Sequence, residues 1–200
     1  MHQPRTVTVN RSDYVVNTDF RNWLKFLSAF DDEQLTVIEQ RAIQLRLCYA
    51  DFDRIVKRFA MNIADFWSAA LYFLRCGKPL DDKDTRRDPL FDFDEDWGYI
   101  VAAFKQQYDI DLNDENVFMH WWDFMAHFYS LSADTKIMQI ISIRGTNLAE
   151  IKDKKECAKI REQQELYKLN KVRKLELADD ADWAEFEKQL TERAEDNENV

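Results

Sequence analysis

Residues 59–77 read FAMNIADFWSAALYFLRCG, and this stretch decides the fold class. With Ile55 just upstream, Phe59, Ile63, Phe66, Ala70 and Leu74 recur at intervals of three and four, the period of one face of an α-helix. The pattern predicts a helix that starts near Asp51 and ends at Gly77, with Lys78-Pro79 behind it as a stop signal. Its apolar face is broad, which places it at the centre of a core. Asn62, Asp65 and Ser68 interrupt the apolar run Phe59–Leu74, and its sixteen residues fall short of the roughly 20 a helix needs to cross a bilayer. No membrane partner is expected.

Upstream, residues 1–17 read as an N-terminal arm in which Val7, Val9, Val15 and Val16 alternate loosely with polar neighbours, giving one short strand or an extended segment. Thr18 then caps a helix lined by Phe20, Trp23, Leu24 and Leu27, and Asp31-Asp32-Glu33 opens a second lined by Leu35, Ile38, Ala42, Leu45 and Tyr49. These make a first helical cluster over 18–79. Residues 80–95 hold an acidic, Pro-bounded stretch expected to be an exposed loop.

A second cluster spans 96–145. Trp97, Ile100, Val101, Phe104 and Tyr108 share one face, and Asn113 or Asp114 caps a helix carrying Phe118, Trp121, Trp122, Met125 and Phe128. Ser132 or Asp134 begins another with Ile137, Ile140, Ile141 and Arg144, stopped at Gly145. Residues 146–170 form a charged helix with the thin stripe Leu148, Ile151, Ile160 and Leu169, which suits packing by one edge. The last segment, 171–200, is an acidic tail in which Trp183, Phe186 and Leu190 at i, i+3, i+7 mark a short amphipathic helix able to dock on a partner. Charge segregates here: residues 151–175 hold nine bases and four acids, and 176–200 hold two bases and ten acids.

The expected fold is therefore mainly α: a compact helical bundle over 18–170, in one or two lobes, with an N-terminal arm. Composition agrees, since 200 residues with 46% apolar side chains can bury a substantial core, and three glycines are too few for phosphate loops and glycine-dependent hairpins. The net charge of −10 argues against nucleic acid as a partner. Cys48, Cys76 and Cys157 show no metal or disulfide spacing and read as buried free thiols.

Two clusters invite chemistry. His120, Asp123 and His127 lie on roughly one helical face, but i and i+7 are separated by about 10.5 Å of rise, too far for one ion. A structural role with Asp123 pairing a histidine is the expectation; the metal or acid–base alternative predicts bound metal. The run Asp92-Phe93-Asp94-Glu95-Asp96 begins like a calcium loop, yet Trp97 stands at the required glycine and Ala103 at the required glutamate. It reads as the acidic start of a helix. Phosphate-loop and nucleophile-elbow motifs are missing, so no enzyme activity and no cofactor are expected.

Thr18-Asp19-Phe20-Arg21, Phe91-Asp92-Phe93-Asp94, Tyr99-Ile100, Ala103-Phe104, Tyr108-Asp109-Ile110-Asp111-Leu112, Met119-His120-Trp121-Trp122-Asp123-Phe124 and Ile141 to Arg144 occur in an order and spacing that resembles the bacteriophage gene-product-fifteen family. The resemblance covers roughly residues 15–170, and Asp109 stands where that family often has Gly. Such proteins are encoded just before the tape-measure protein in long-tailed phages with non-contractile tails and in prophages. The resemblance implies a tail-assembly chaperone, acting in the host cytoplasm and absent from the finished virion. Its implied partner is the tape-measure protein, with the tail-tube protein a second candidate and self-association open. The alternative is a structural virion component, a head–tail joining or minor tail protein. The residues expected to contact a partner are Trp97, Phe104, Trp121, Trp122 and Phe128, forming part of an aromatic groove, with Trp183 and Phe186 in the tail.

Overall fold

The computed structural model describes residues 3–31, 34–59, 63–79, 89–170 and 183–189. Its elements are β1 (Thr6–Val9), β2 (Ser12–Val15), α1 (Phe20–Ser28), α2 (Val37–Cys48), α3 (Phe52–Phe59), α4 (Ile63–Leu74), α5 (Trp97–Tyr108), α6 (Trp121–Tyr129), α7 (Lys136–Gly145) and α8 (Lys154–Leu166), followed by α9 over 183–189. The fold is mainly α with a short two-stranded sheet at the N-terminus. Among the described residues no helix is long and apolar enough to cross a membrane. The chain divides into two compact units, one drawn from residues 1–85, 119–124 and 175–200, the other from 86–118 and 125–174.

In the first unit the N-terminal arm is a hairpin of two strands. Thr6 pairs with Val15 and Val9 with Ser12, and the two turn residues Asn10 and Arg11 both have positive φ, 49° and 66°. That is the backbone a tight two-residue hairpin demands, reached here without glycine. Val7 and Val9 point into the core, and Tyr14 meets the Phe66 ring edge-on at 4.8 Å, so the hairpin lies on α4.

Helix α1 is capped by Asp19, whose carboxylate accepts from Arg21 N at 2.9 Å, rather than by Thr18. Thr18 instead gives its carbonyl to Trp121 N at 2.7 Å. Phe20, Trp23 and Phe26 are the buried positions of α1. Helix α2 begins later than its acidic prelude suggests, at a capping box in which Thr36 and Glu39 satisfy each other's backbone N–H groups.

The buried face of α2 also differs from the apolar pattern. Arg41, Gln44, Leu45 and Cys48 face inward, while Ile38 and Ala42 are only half-buried. Two polar residues are tolerated because Arg41 Nη1 donates to Gln44 Oε1 at 2.9 Å and Gln44 Nε2 donates to the Phe26 carbonyl at 3.1 Å. The guanidinium lies over Trp67 at 4.4 Å and Phe30 at 5.0 Å. Buried polar groups persist where hydrogen bonds and ring faces replace water. The expected helix from Asp51 to Gly77 is represented by α3 and α4, with residues 60–62 outside the described set. Of the three thiols only Cys48 is buried; Cys76 and Cys157 are partly accessible.

The second unit packs α5 on α7 and α7 on α8. Ile100, Ala103 and Phe104 of α5 meet a core that includes Ile137 and Ile140 of α7, with Phe93, Leu112, Phe128 and Leu131 also buried. Most of the expected loop, 80–88, lies outside the described residues. Its described end is exposed at Leu90 and Asp94 but buried at Asp92 and Phe93, and Asp96, which follows it, is buried too. Asp92 Oδ1 accepts from the N–H groups of Asp94 and Glu95, and Asp96 pairs with Arg144 at 2.6 and 3.0 Å. Residues 114–118 precede α6 as a turn at 115–116 and irregular chain rather than as its first helical residues. Helix α8 has no buried residue and attaches through Gln164, which donates to the Ile143 and Thr146 carbonyls.

Candidate partner-binding site

A groove of about 480 Å³ runs along β1 in the first unit. One side is the strand itself, from Pro4 to Asn10. Its other side is helix α4, which contributes Asp65, Ser68, Ala69 and Tyr72, the i, i+3, i+4, i+7 positions of one helical face. Phe73 and Trp122 complete it. The small side chains Ser68 and Ala69 leave the middle open, while Tyr72 stands up at 52% exposure.

Both ends are tied. At one, Asn10 Nδ2 donates to Asp65 Oδ2 at 3.0 Å. At the other, the Pro4 carbonyl accepts from His120 Nε2 at 2.8 Å, and His120 Nδ1 accepts from the Trp122 backbone N at 3.1 Å. Those two bonds place the imidazole hydrogen on Nε2. Asp123, expected to pair a histidine, accepts from Gln3 Nε2 at 2.7 Å. His127 belongs to the second unit and meets the Tyr108 ring edge-on at 4.7 Å. Among the described residues no group of three His, Cys, Asp or Glu side chains could hold a metal.

Trp122 is fixed by its indole Nε1, which donates to the Phe73 carbonyl at 2.9 Å. Gly77 makes room for it. This residue ends α4 with φ +79°, and a Cβ built there would come within 3.1 Å of the indole. Only glycine combines that backbone with that approach without strain.

Of the seven side chains expected to contact a partner, Trp122 lines this groove. Trp121, its neighbour, is buried, with Nε1 donating to the Leu74 carbonyl at 2.8 Å and the ring stacked on Phe124. Trp97, Phe104 and Phe128 belong to the other unit. There Phe104 and Phe128 are buried, Phe128 lying 4.8 Å from the Phe91 ring, and the half-exposed Trp97 donates to Asn113 Oδ1. Trp183 packs on Trp67 at 5.6 Å, and Phe186 is buried beside it. Phe104, Trp121, Phe128 and Phe186 thus serve the core in this structure and present no surface to a partner.

Sequence reasoning missed the strand edge, Asp65 and Tyr72. The signal was present: the polar interruptions at Asp65 and Ser68 that broke the apolar run mark the face of α4 turned to the groove.

The family model described as Bacteriophage Gp15 protein matches residues 2–169. The chain belongs to the bacteriophage Gp15 family. Every described residue lining the groove falls inside that match, whereas the α9 helix lies beyond it. No curated protein and no solved structure matches the chain. Gp15 membership makes this a phage-related structural or assembly protein.

Proposed function

We propose that this Gp15-family protein is a tail-assembly chaperone that holds the tape-measure protein while tail-tube subunits assemble around it. The observation that carries the reading is the family match over residues 2–169. The groove beside Trp122 and Tyr72 supports it physically, because a long chain with uncovered apolar stripes aggregates unless another protein covers them. The net charge of −10 keeps such a complex dispersed. The role is non-catalytic, needs no cofactor, and is exercised in the host cytoplasm.

Co-expression with the tape-measure protein of the same genome, followed by size exclusion with light scattering, tests it. A soluble stoichiometric complex, with the tape-measure protein insoluble alone, is the expected result. Failure to bind, together with stoichiometric presence in purified virions by mass spectrometry, would replace it with the virion-component role.

A further inference from the structure

The groove beside β1 has the chemistry of a missing strand. In the hairpin, Val16 N donates to the Arg5 carbonyl at 3.0 Å, and with Thr6 opposite Val15 this makes Arg5–Val16, Val7–Tyr14 and Val9–Ser12 the hydrogen-bonded pairs. Thr6 and Thr8 occupy the alternate positions, so their N–H and C=O groups point away from β2. The Pro4 carbonyl follows the same alternation, and its bond to His120 confirms which way the edge faces. Beyond Pro4 that edge has no backbone partner among the described residues, and the groove lies along it.

We propose that β1 accepts an extended segment of a partner polypeptide as a third, edge-paired strand, with a Lys or Arg of that segment meeting Asp65. Three observations identify the occupant. Four backbone groups, the N–H and C=O of Thr6 and of Thr8, repeat at the spacing of a strand and of no helix. Ser68 and Ala69 keep the face of α4 below the slot low, leaving about 480 Å³ beside a four-residue strand. Asp65 is exposed, meets only the neutral amide of Asn10, and has no cation beside it among the described residues. Tyr72 and Trp122 border the slot and receive the apolar side chains of the incoming segment. A two-stranded hairpin is marginal alone, so a third strand strengthens both partners. That the segment comes from the tape-measure chain rests on the function proposed above; the pairing chemistry does not.

The probe is a fluorescently labelled octapeptide of alternating valine and threonine with one central lysine, titrated by anisotropy against the full chain. Thr8→Pro removes an outward N–H that the hairpin does not use, and it should weaken binding at least about tenfold with an unchanged circular dichroism spectrum. Asp65→Lys, an exposed substitution, should weaken the lysine peptide about fivefold and favour the same peptide carrying glutamate instead. Hydrogen exchange should slow at the Thr6 and Thr8 amides when peptide is present. Equal binding by wild type and Thr8→Pro, or unprotected Thr6 and Thr8 amides, overturns the proposal. So does a dimer in light scattering that Thr8→Pro dissociates, because the edge would then belong to a second copy. The peptide behaving as expected while the tape-measure protein stays unbound overturns the function and leaves the strand site standing. A tape-measure complex that survives Thr8→Pro does the reverse.

Discussion

Arg41 in the first unit and Arg144 in the second each carry a guanidinium out of water, and different groups receive it. Arg144 sits in an ion pair whose side chains are 11% and 2% exposed, with both nitrogens of its fork on the Asp96 carboxylate. It also donates to the Tyr167 and Leu90 carbonyls, so one side chain ties the C-terminus of α7 to the start of α5 and the end of α8. Arg41 lies over the Trp67 and Phe30 rings and reaches the Gln44 amide. A carboxylate answers the Arg144 charge, and ring faces and a neutral amide are among the groups that receive the Arg41 charge. Losing the Arg144 cation strands a buried anion, whereas losing the Arg41 cation uncovers the faces of Trp67 and Phe30 and the Gln44 amide.

The largest expected effect follows from that asymmetry. Arg144→Met leaves Asp96 buried without its counter-charge and should cost about 3–5 kcal/mol in denaturant melts. A double-mutant cycle sharpens the comparison. Asp96→Asn and Arg144→Gln should each be strongly destabilising, and the pair together should cost less than their sum, with a coupling of about 2 kcal/mol. Additive losses would mean that the two groups act separately through their carbonyl and amide partners.

Arg41→Met comes next. Methionine keeps most of the apolar contact with Trp67 and Phe30, and losing the cation–ring attraction and the Gln44 bond should cost about 1–2 kcal/mol. A loss equal to that of Arg144→Met would break the comparison and show that Arg41 answers a carboxylate as well.

Both arginines also mark where the sequence stopped being readable. The limits of α5 and the end of α7 at Gly145 follow from apolar spacing and a stop residue, and the structure places them there. Spacing of apolar residues assigns a helix face by what water rejects, so it rotated α2 toward Ile38 and Ala42 and passed over Arg41 and Gln44, whose polar atoms are satisfied only by distant residues. The burial of Asp96 was hidden for the same reason, since its partner stands 48 positions away. The hairpin was hidden by its turn. Asn tolerates positive φ, but Arg11 does so at a cost of about 1–2 kcal/mol, and nothing local announces it. Within the candidate site, Trp122 was legible as one ring of the aromatic cluster between Trp97 and Tyr129. The strand edge was not, because backbone groups carry no residue identity.

The smallest expected effect belongs to an ion pair in the second unit that resembles the Asp96–Arg144 pair only in composition. Lys105 Nζ lies 2.7 Å from Asp109 Oδ1, but both groups stand in water. The hydrogen bond from Lys105 lowers the Asp109 carboxyl below its ordinary 3.8, and the same bond raises the Lys105 amine above 10.5. A depressed acid contributes stability above its unfolded value and loses it as pH falls through the folded one. A raised base contributes below its unfolded value and loses it as pH climbs through the folded one. The pair is therefore intact across the neutral range and weakens only at the two extremes. Lys105→Gln should shift the melting midpoint at pH 7 less than either arginine substitution, and the shift should vanish in about 1 M salt, where screening reaches within about 3 Å. The Arg144→Met loss should survive the same salt, because counter-ions do not reach a carboxylate that water does not reach. A salt-sensitive Arg144 deficit would make the two pairs alike and place Asp96 within reach of solvent.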